Sequence, residues 1–247
     1  MIKNRTHRIL ISLLLTVVLM AFLALAASLG EKPARLIVML GGVLPAGLIQ
    51  GATYFLFFWG MLEVAAIRQR LRYESQAFDH HYIVDDKEWL YSADDSYRLK
   101  QRLEEKNRQQ HYQLLDLAIL VCMKYRLSKS SSEALSVLES EASNMSATVE
   151  SDQSFIRYIS WAIPSVGFIG TVIGIASSLG YANQASTPEG IERVTSALAV
   201  AFDTTLVALV LSVILMLAIH ALQKQQDDLY TRMKTYLLHN LINRLYK

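Results

Sequence analysis

Apolar residues gather into four long runs, Ile9–Leu29, Leu36–Ala66, Tyr158–Tyr181 and Val194–Leu222, and most of the charge lies between or after them. As helices rising about 1.5 Å per residue, all four are long enough to cross a hydrocarbon core of roughly 30 Å. The pattern predicts an all-α membrane protein. Its outer connections, Gly30–Arg35 and Ala182–Arg193, are too short to hold a domain. The polar stretch between the second and third runs is the one sizeable water-exposed segment.

Lys3, Arg5 and Arg8 precede the first run, and Ala24–Ser28 offers small residues of the kind found at signal-peptide cleavage points. The run exceeds the 7–15 apolar residues of a signal peptide, so it reads as a retained span. In the second run Gly41, Gly42, Pro45 and Gly47 favour a kink, and Glu63 is the one charge. Tyr54, Phe55, Phe57, Phe58 and Trp59 suit either an interfacial belt or ordinary packing. Arg68, Arg70 and Arg72 follow, and with the basic N-terminus they put both ends of this hairpin in the cytoplasm.

Phe78–Asp95 lacks helical periodicity and reads as a loop or a short strand-like excursion. Its acids and His80/His81 match no metal-binding spacing, so no metal is assigned. Ser96 to about Leu127 is predicted as one helix, Ser128–Ser132 as a break, and a further helix from near Ser132 as running on into the third span. Gln223–Lys247 repeats Leu229, Met233, Leu237, Leu241 and Leu245 at four-residue intervals. That stripe is expected to pack on neighbouring subunits or on the membrane surface.

The third and fourth runs hold the candidate chemistry. Gly167, Gly170, Thr171, Gly174 and Ser178 share one helical face, and small residues there let two helix backbones approach closely. On the fourth run Leu198, Ala201, Phe202, Thr205, Ala208, Leu209 and Ser212 share a face, and Asp203 lies on a neighbouring one. A carboxylate near mid-membrane costs about 2.5–3.5 kcal/mol and needs a partner or a wet path. Asp203, followed directly by Thr204 and Thr205, is therefore the first candidate functional residue.

Composition agrees with this reading: 52% hydrophobic residues, 19% charged, net charge +2 and mean hydropathy +0.25 place the chain with membrane proteins. Cys122 is the single cysteine, so an internal disulfide and a cysteine-built zinc site are excluded. No nucleophile–base pair or ligand set stands in the spans, which argues against a membrane enzyme, and nothing calls for a cofactor or nucleic acid.

Ile163–Ile175, IPSVGFIGTVIGI, followed after a short turn by SALAVAFDTTLVALVLSVI, resembles the paired helices of the MotA/TolQ/ExbB proton-channel family. The resemblance covers Trp161–Leu222. Two spans, a cytoplasmic helical segment and two more spans resemble the flagellar stator branch, whereas the GFIGTV core resembles TolQ and ExbB. The resemblance implies the channel-forming subunit of an ion-driven motor in the bacterial inner membrane. It would be a multi-pass homopentamer, both termini cytoplasmic, its third and fourth spans enclosing a single-span MotB/TolR/ExbD-like partner dimer.

By matched position Pro164 corresponds to the proline opening the family's third span, Thr171 to the threonine of its Gly-Thr-Val core, and Thr205 to the threonine of its last span. Asp203 departs from that pattern. It could serve as a further proton site, pair with a cytoplasm-derived cation, or bond a neighbouring subunit. The expected domains are a transmembrane hairpin (1–67), a cytoplasmic helical domain (68–157), the channel helices (158–222) and a cytoplasmic amphipathic helix (223–247). With these matches Thr171, Thr204 and Thr205 join Asp203 as the ion-pathway candidates; the hydroxyls leave proton and sodium open, and a non-conducting scaffold is the competing reading.

Overall fold

The structure is a computed structural model and describes residues 5–29, 34–43, 46–83 and 90–246, the side chain of Asp152 excepted. Among these residues the chain forms seven α-helices: α1 (Arg5–Ser28), α2 (Arg35–Met39), α3 (Ala46–Ser75), α4 (Ala93–Gln110), α5 (Gln113–Ser128), α6 (Ser131–Gly180) and α7 (Pro188–Asn240). Four stretches, α1, the helix from Ala46, α6 and the helix from Pro188, are long and apolar enough to cross a membrane.

The second apolar run differs from the expected single kinked span. It is divided into the short α2 and the long α3, with Gly41 in the left-handed region at a φ of +96°. A Cβ on Gly41 would lie 2.2 Å from Gln50 Oε1, so the break needs glycine for conformation and for space. Pro45 and the Glu31–Pro33 part of the outer loop lie outside the described residues.

The chain packs as two compact units, Met1–Ala66 with Ser154–His220, and Ile67–Gln153 with Ala221–Lys247. In the first, Leu23 of α1, Tyr54 of α3 and Val207 of α7 form a buried cluster, joined by Leu19, Met20, Met39, Leu40, Phe58 and Leu211. At the start of α1, Arg8 pairs with buried Glu63 at 3.0 Å, and Trp59 Nε1 donates to the same carboxylate at 3.2 Å. Glu63 is thus a matched charge, the arrangement that makes a buried carboxylate tolerable.

In the second unit the helix expected over 96–127 is two helices. His111 takes a left-handed φ of 52° and ends α4, and Asn107 Oδ1 accepts from the Tyr112 N–H at 2.9 Å across the corner. The chain reverses there because Asn107 and Asp116 are also bonded, at 2.6 Å, and the two helices form an αα-hairpin. The α4 start lies three residues ahead of expectation, in a capping box between Ser92 and Asp95. Those bonds from Ser92 hold the Asp95 carboxyl below its ordinary range.

Around the expected 78–95 loop, Gln76–His80 is a 3-10 turn, residues 84–89 lie outside the described residues, and Tyr91 pairs in parallel with Leu245. The tail stripe is not free to cover a neighbour or a membrane surface. Leu229, Met233, Leu237, Leu241 and Leu245 are all buried within this chain. Leu99, Leu103, Leu114, Leu117, Val121 and Leu138 supply the apolar surface of the same unit.

Candidate functional site

The site is the seam between the first unit's parts of α6 and α7. Its close approach follows from small residues. A Cβ on Gly167 would lie 2.4 Å from the Ala208 Cβ, one on Gly170 2.3 Å from Thr204 Oγ1, and one on Gly174 2.7 Å from the Ala201 backbone nitrogen. Each distance is below van der Waals contact, so the spacing of the two helices is set by three missing side chains. Ser178 Oγ donates to the Val194 carbonyl at 3.1 Å at one end of the seam.

Pro164 and Ser212 meet at the other end. A proline inside a helix supplies no N–H to the carbonyl four residues earlier, here Ser160. Ser212 Oγ, reaching across from α7, donates to that carbonyl at 3.2 Å. In an apolar surrounding an unpaired carbonyl is costly, and a neighbouring helix's hydroxyl is a recognised remedy.

Between these ends Thr171 and Thr205 face each other. The two hydroxyls are hydrogen-bonded to one another; each carries one proton, so one donates to the other, which in turn donates to its own carbonyl, that of Gly167 at 3.0 Å from Thr205 Oγ1 or that of Ala201 at 3.2 Å from Thr171 Oγ1. Thr204 is spent otherwise: it is buried against Gly170 and donates back to the Val200 carbonyl of its own helix at 3.0 Å. The packed face of α7 runs through Ala201, Thr204, Ala208 and Ser212, with Leu198, Phe202 and Leu209 exposed. The expected face was therefore rotated, because its large apolar members cannot approach a glycine stripe.

Asp203 points elsewhere. Arg35, the first residue of α2, holds its buried carboxylate with two bonds, Nη1 to Oδ2 at 2.5 Å and Nη2 to Oδ1 at 2.7 Å. A planar guanidinium matches a carboxylate in this two-pronged way, where a lysine would act as a point charge. Beside α2 lies a cleft of about 550 Å³, apolar at Val38, Val43, Ile173 and Val200 and charged at Glu189, Glu192 and Arg193. Among the described residues no group of three or more His, Cys, Asp or Glu is placed to hold a metal ion.

The description of the MotA/TolQ/ExbB proton channel family matches residues 97–235, more than half of the chain. The chain belongs to this family. No curated protein and no solved structure matches it. The MotA/TolQ/ExbB match begins in α4, well ahead of Trp161 where the quoted resemblance starts, so α4 and α5 carry family signal as well.

Of the ion-pathway candidates the fold brings Thr171 and Thr205 together, turns Thr204 into its own helix and sends Asp203 to α2. Sequence reasoning missed Arg35, which was read as the end of a loop. A signal was present: Arg35 is the charge adjoining the second apolar run, and Asp203 is the one acid inside the fourth.

Proposed function

We propose that this chain is the channel-forming subunit of an ion-driven motor complex in a bacterial inner membrane. Five copies enclose the single-span helices of a MotB/TolR/ExbD-like partner dimer, and ion flow past the α6–α7 pair drives rotation of one component against the other. Thr171 and Thr205 lie on the ion path. Pro164, Gly167, Gly170, Gly174, Ser178 and Ser212 hold the helix pair that carries them. The first unit spans the membrane, the second lies in the cytoplasm, and both termini face the cytoplasm.

One observation carries this reading: two hydroxyls meet across a glycine-lined helix contact of a chain that belongs to a proton-channel family. Each hydroxyl can donate and accept, which suits a proton relay or partial replacement of a hydration shell. Each also has a backbone carbonyl within reach, so the hydroxyl that is not donating to its neighbour still has an acceptor for its proton.

Affinity isolation of the tagged chain from its native membrane tests the assembly. The expected result is a single-span protein with an aspartate in its span, and a native mass containing five copies of this chain. A well-folded chain recovered alone, or in another copy number, would contradict the proposal.

A further inference from the structure

The short helix α2 is held in place in an unusual way. None of its five residues is fully buried and Leu36 is well exposed; apolar packing reaches it only at its C-terminal end, where Met39 and the following Leu40 rest on the Leu23–Tyr54–Val207 cluster. Polar groups hold it at both ends. At its C-terminal end Gln50 Nε2 donates to the Met39 carbonyl and Tyr54 Oη donates to the Leu40 carbonyl at 3.0 Å, both from α3. At its N-terminal end the contact is the Arg35–Asp203 pair.

The pair is lopsided. The Arg35 side chain is 63% exposed and that of Asp203 6%. Arg35 is free of the surrounding protein and can swing away, whereas Asp203 cannot follow. One turn further along α7, Val207 is covered by Leu23, Tyr54 and their apolar neighbours; Tyr54 is the titratable member, and its hydroxyl is committed to Leu40. Arg35 is the charged group bonded to Asp203 among the described residues. An arginine stays protonated throughout, and a carboxylate left alone in an apolar interior is strongly disfavoured against its neutral form.

From these contacts we infer that α2 is a latch, docked on α7 by Arg35 while Asp203 is ionised and released only when Asp203 takes up a proton. The polar clamp at Met39 and Leu40 and the left-handed Gly41 form the pivot, and the cleft lined by Val38 gives the segment room to move. On release one proton passes from solvent to the Asp203 carboxylate and the guanidinium moves to water, so the membrane interior never holds a lone charge. Arg35 is then a positioning residue: it sets the protonation state of Asp203 and acts on the Thr171–Thr205 path only through it. The link to ion flow rests on the channel reading, but the latch does not.

Infrared difference spectroscopy of the detergent-purified full chain reads the protonation state directly. The expected result is a protonated-carboxyl C=O band in Arg35→Gln at neutral pH that shifts in D2O, disappears in Arg35→Gln/Asp203→Asn, and is missing from the wild type. Hydrogen exchange over residues 34–43 should quicken roughly tenfold or more in Asp203→Asn and in Arg35→Gln. An Asp203 band in the wild type, no band in folded Arg35→Gln, or unchanged exchange would each overturn the latch.

If Arg35→Gln does not yield folded protein, the double variant must recover the yield, because it removes both charges together. A double variant that stays unfolded overturns the inference as well. Absent ion flux through the wild-type complex would defeat the channel reading and leave these spectra unchanged, so the two failures are separable.

Discussion

At the scale of single residues, the seam is a set of substitutions with different expected costs. Gly174→Ala places a methyl 2.7 Å from the Ala201 backbone nitrogen, where nothing flexible can yield, and should cost about 1–3 kcal/mol. Gly180→Ala meets nothing within 4 Å and should stay within about 0.5 kcal/mol of the wild type. Equal melting temperatures for the two variants would contradict the close-packed seam.

Ser212→Ala leaves the Ser160 carbonyl without a donor and should cost about 1 kcal/mol. Pro164→Ala restores a helical N–H to that carbonyl, so the double variant Pro164→Ala/Ser212→Ala should lose less than Ser212→Ala alone. A double-mutant cycle in detergent-solubilised protein checks this. Additive losses would separate the two residues that the structure joins.

At the scale of elements, the spans and the glycine stripe were legible because apolar length and small-residue spacing are local properties of the chain. The division of the second run into α2 and α3 was half legible. Gly41 and Gly42 announced a disturbance, but whether it becomes a kink or a break is decided by Gln50 and Tyr54 bonding the freed carbonyls. The burial of the tail stripe was not legible, since it depends on contacts between residues far apart, such as the Tyr125 hydroxyl on the Tyr246 carbonyl, and the corner at His111 was not, since a histidine in the left-handed region gives no glycine or proline signal. Amphipathicity told that the tail has a partner and could not tell that the partner is its own chain.

The same scale gives a pH prediction. Cys122, at the centre of α5, is fully buried, and burial pushes its thiol up to about 12. The fold therefore favours the neutral thiol. Its contribution is fully present below the ordinary thiol value of 9.0 and is lost as pH rises from there towards 12, where the unfolded chain alone ionises. Cys122→Ser should flatten the fall in stability over that window. Iodoacetamide should leave folded protein unmodified at pH 8 and label it on unfolding; rapid labelling of the native chain would contradict the buried position.

At the scale of the whole molecule, the chain supplies a helix pair with a hydroxyl contact, an exposed apolar surface on α6 and α7 that includes Phe168, Val172, Val213 and Met216, and a second unit that its own tail completes. In the proposed assembly that exposed surface would face lipid, sister subunits and the partner helix. The two hydroxyls give the chain more than a scaffold needs, since a scaffold can pack through glycine alone.

Ion flux into proteoliposomes carrying the isolated complex tests the central claim most directly, under an imposed proton gradient and, separately, a sodium gradient. The wild-type complex should conduct one of the two ions. Thr171→Val and Thr205→Val keep the side-chain volume and remove the hydroxyls, and should reduce flux to that of empty vesicles while the complex still isolates intact. Wild-type flux in both variants, or none in the wild type with either ion, would contradict the account.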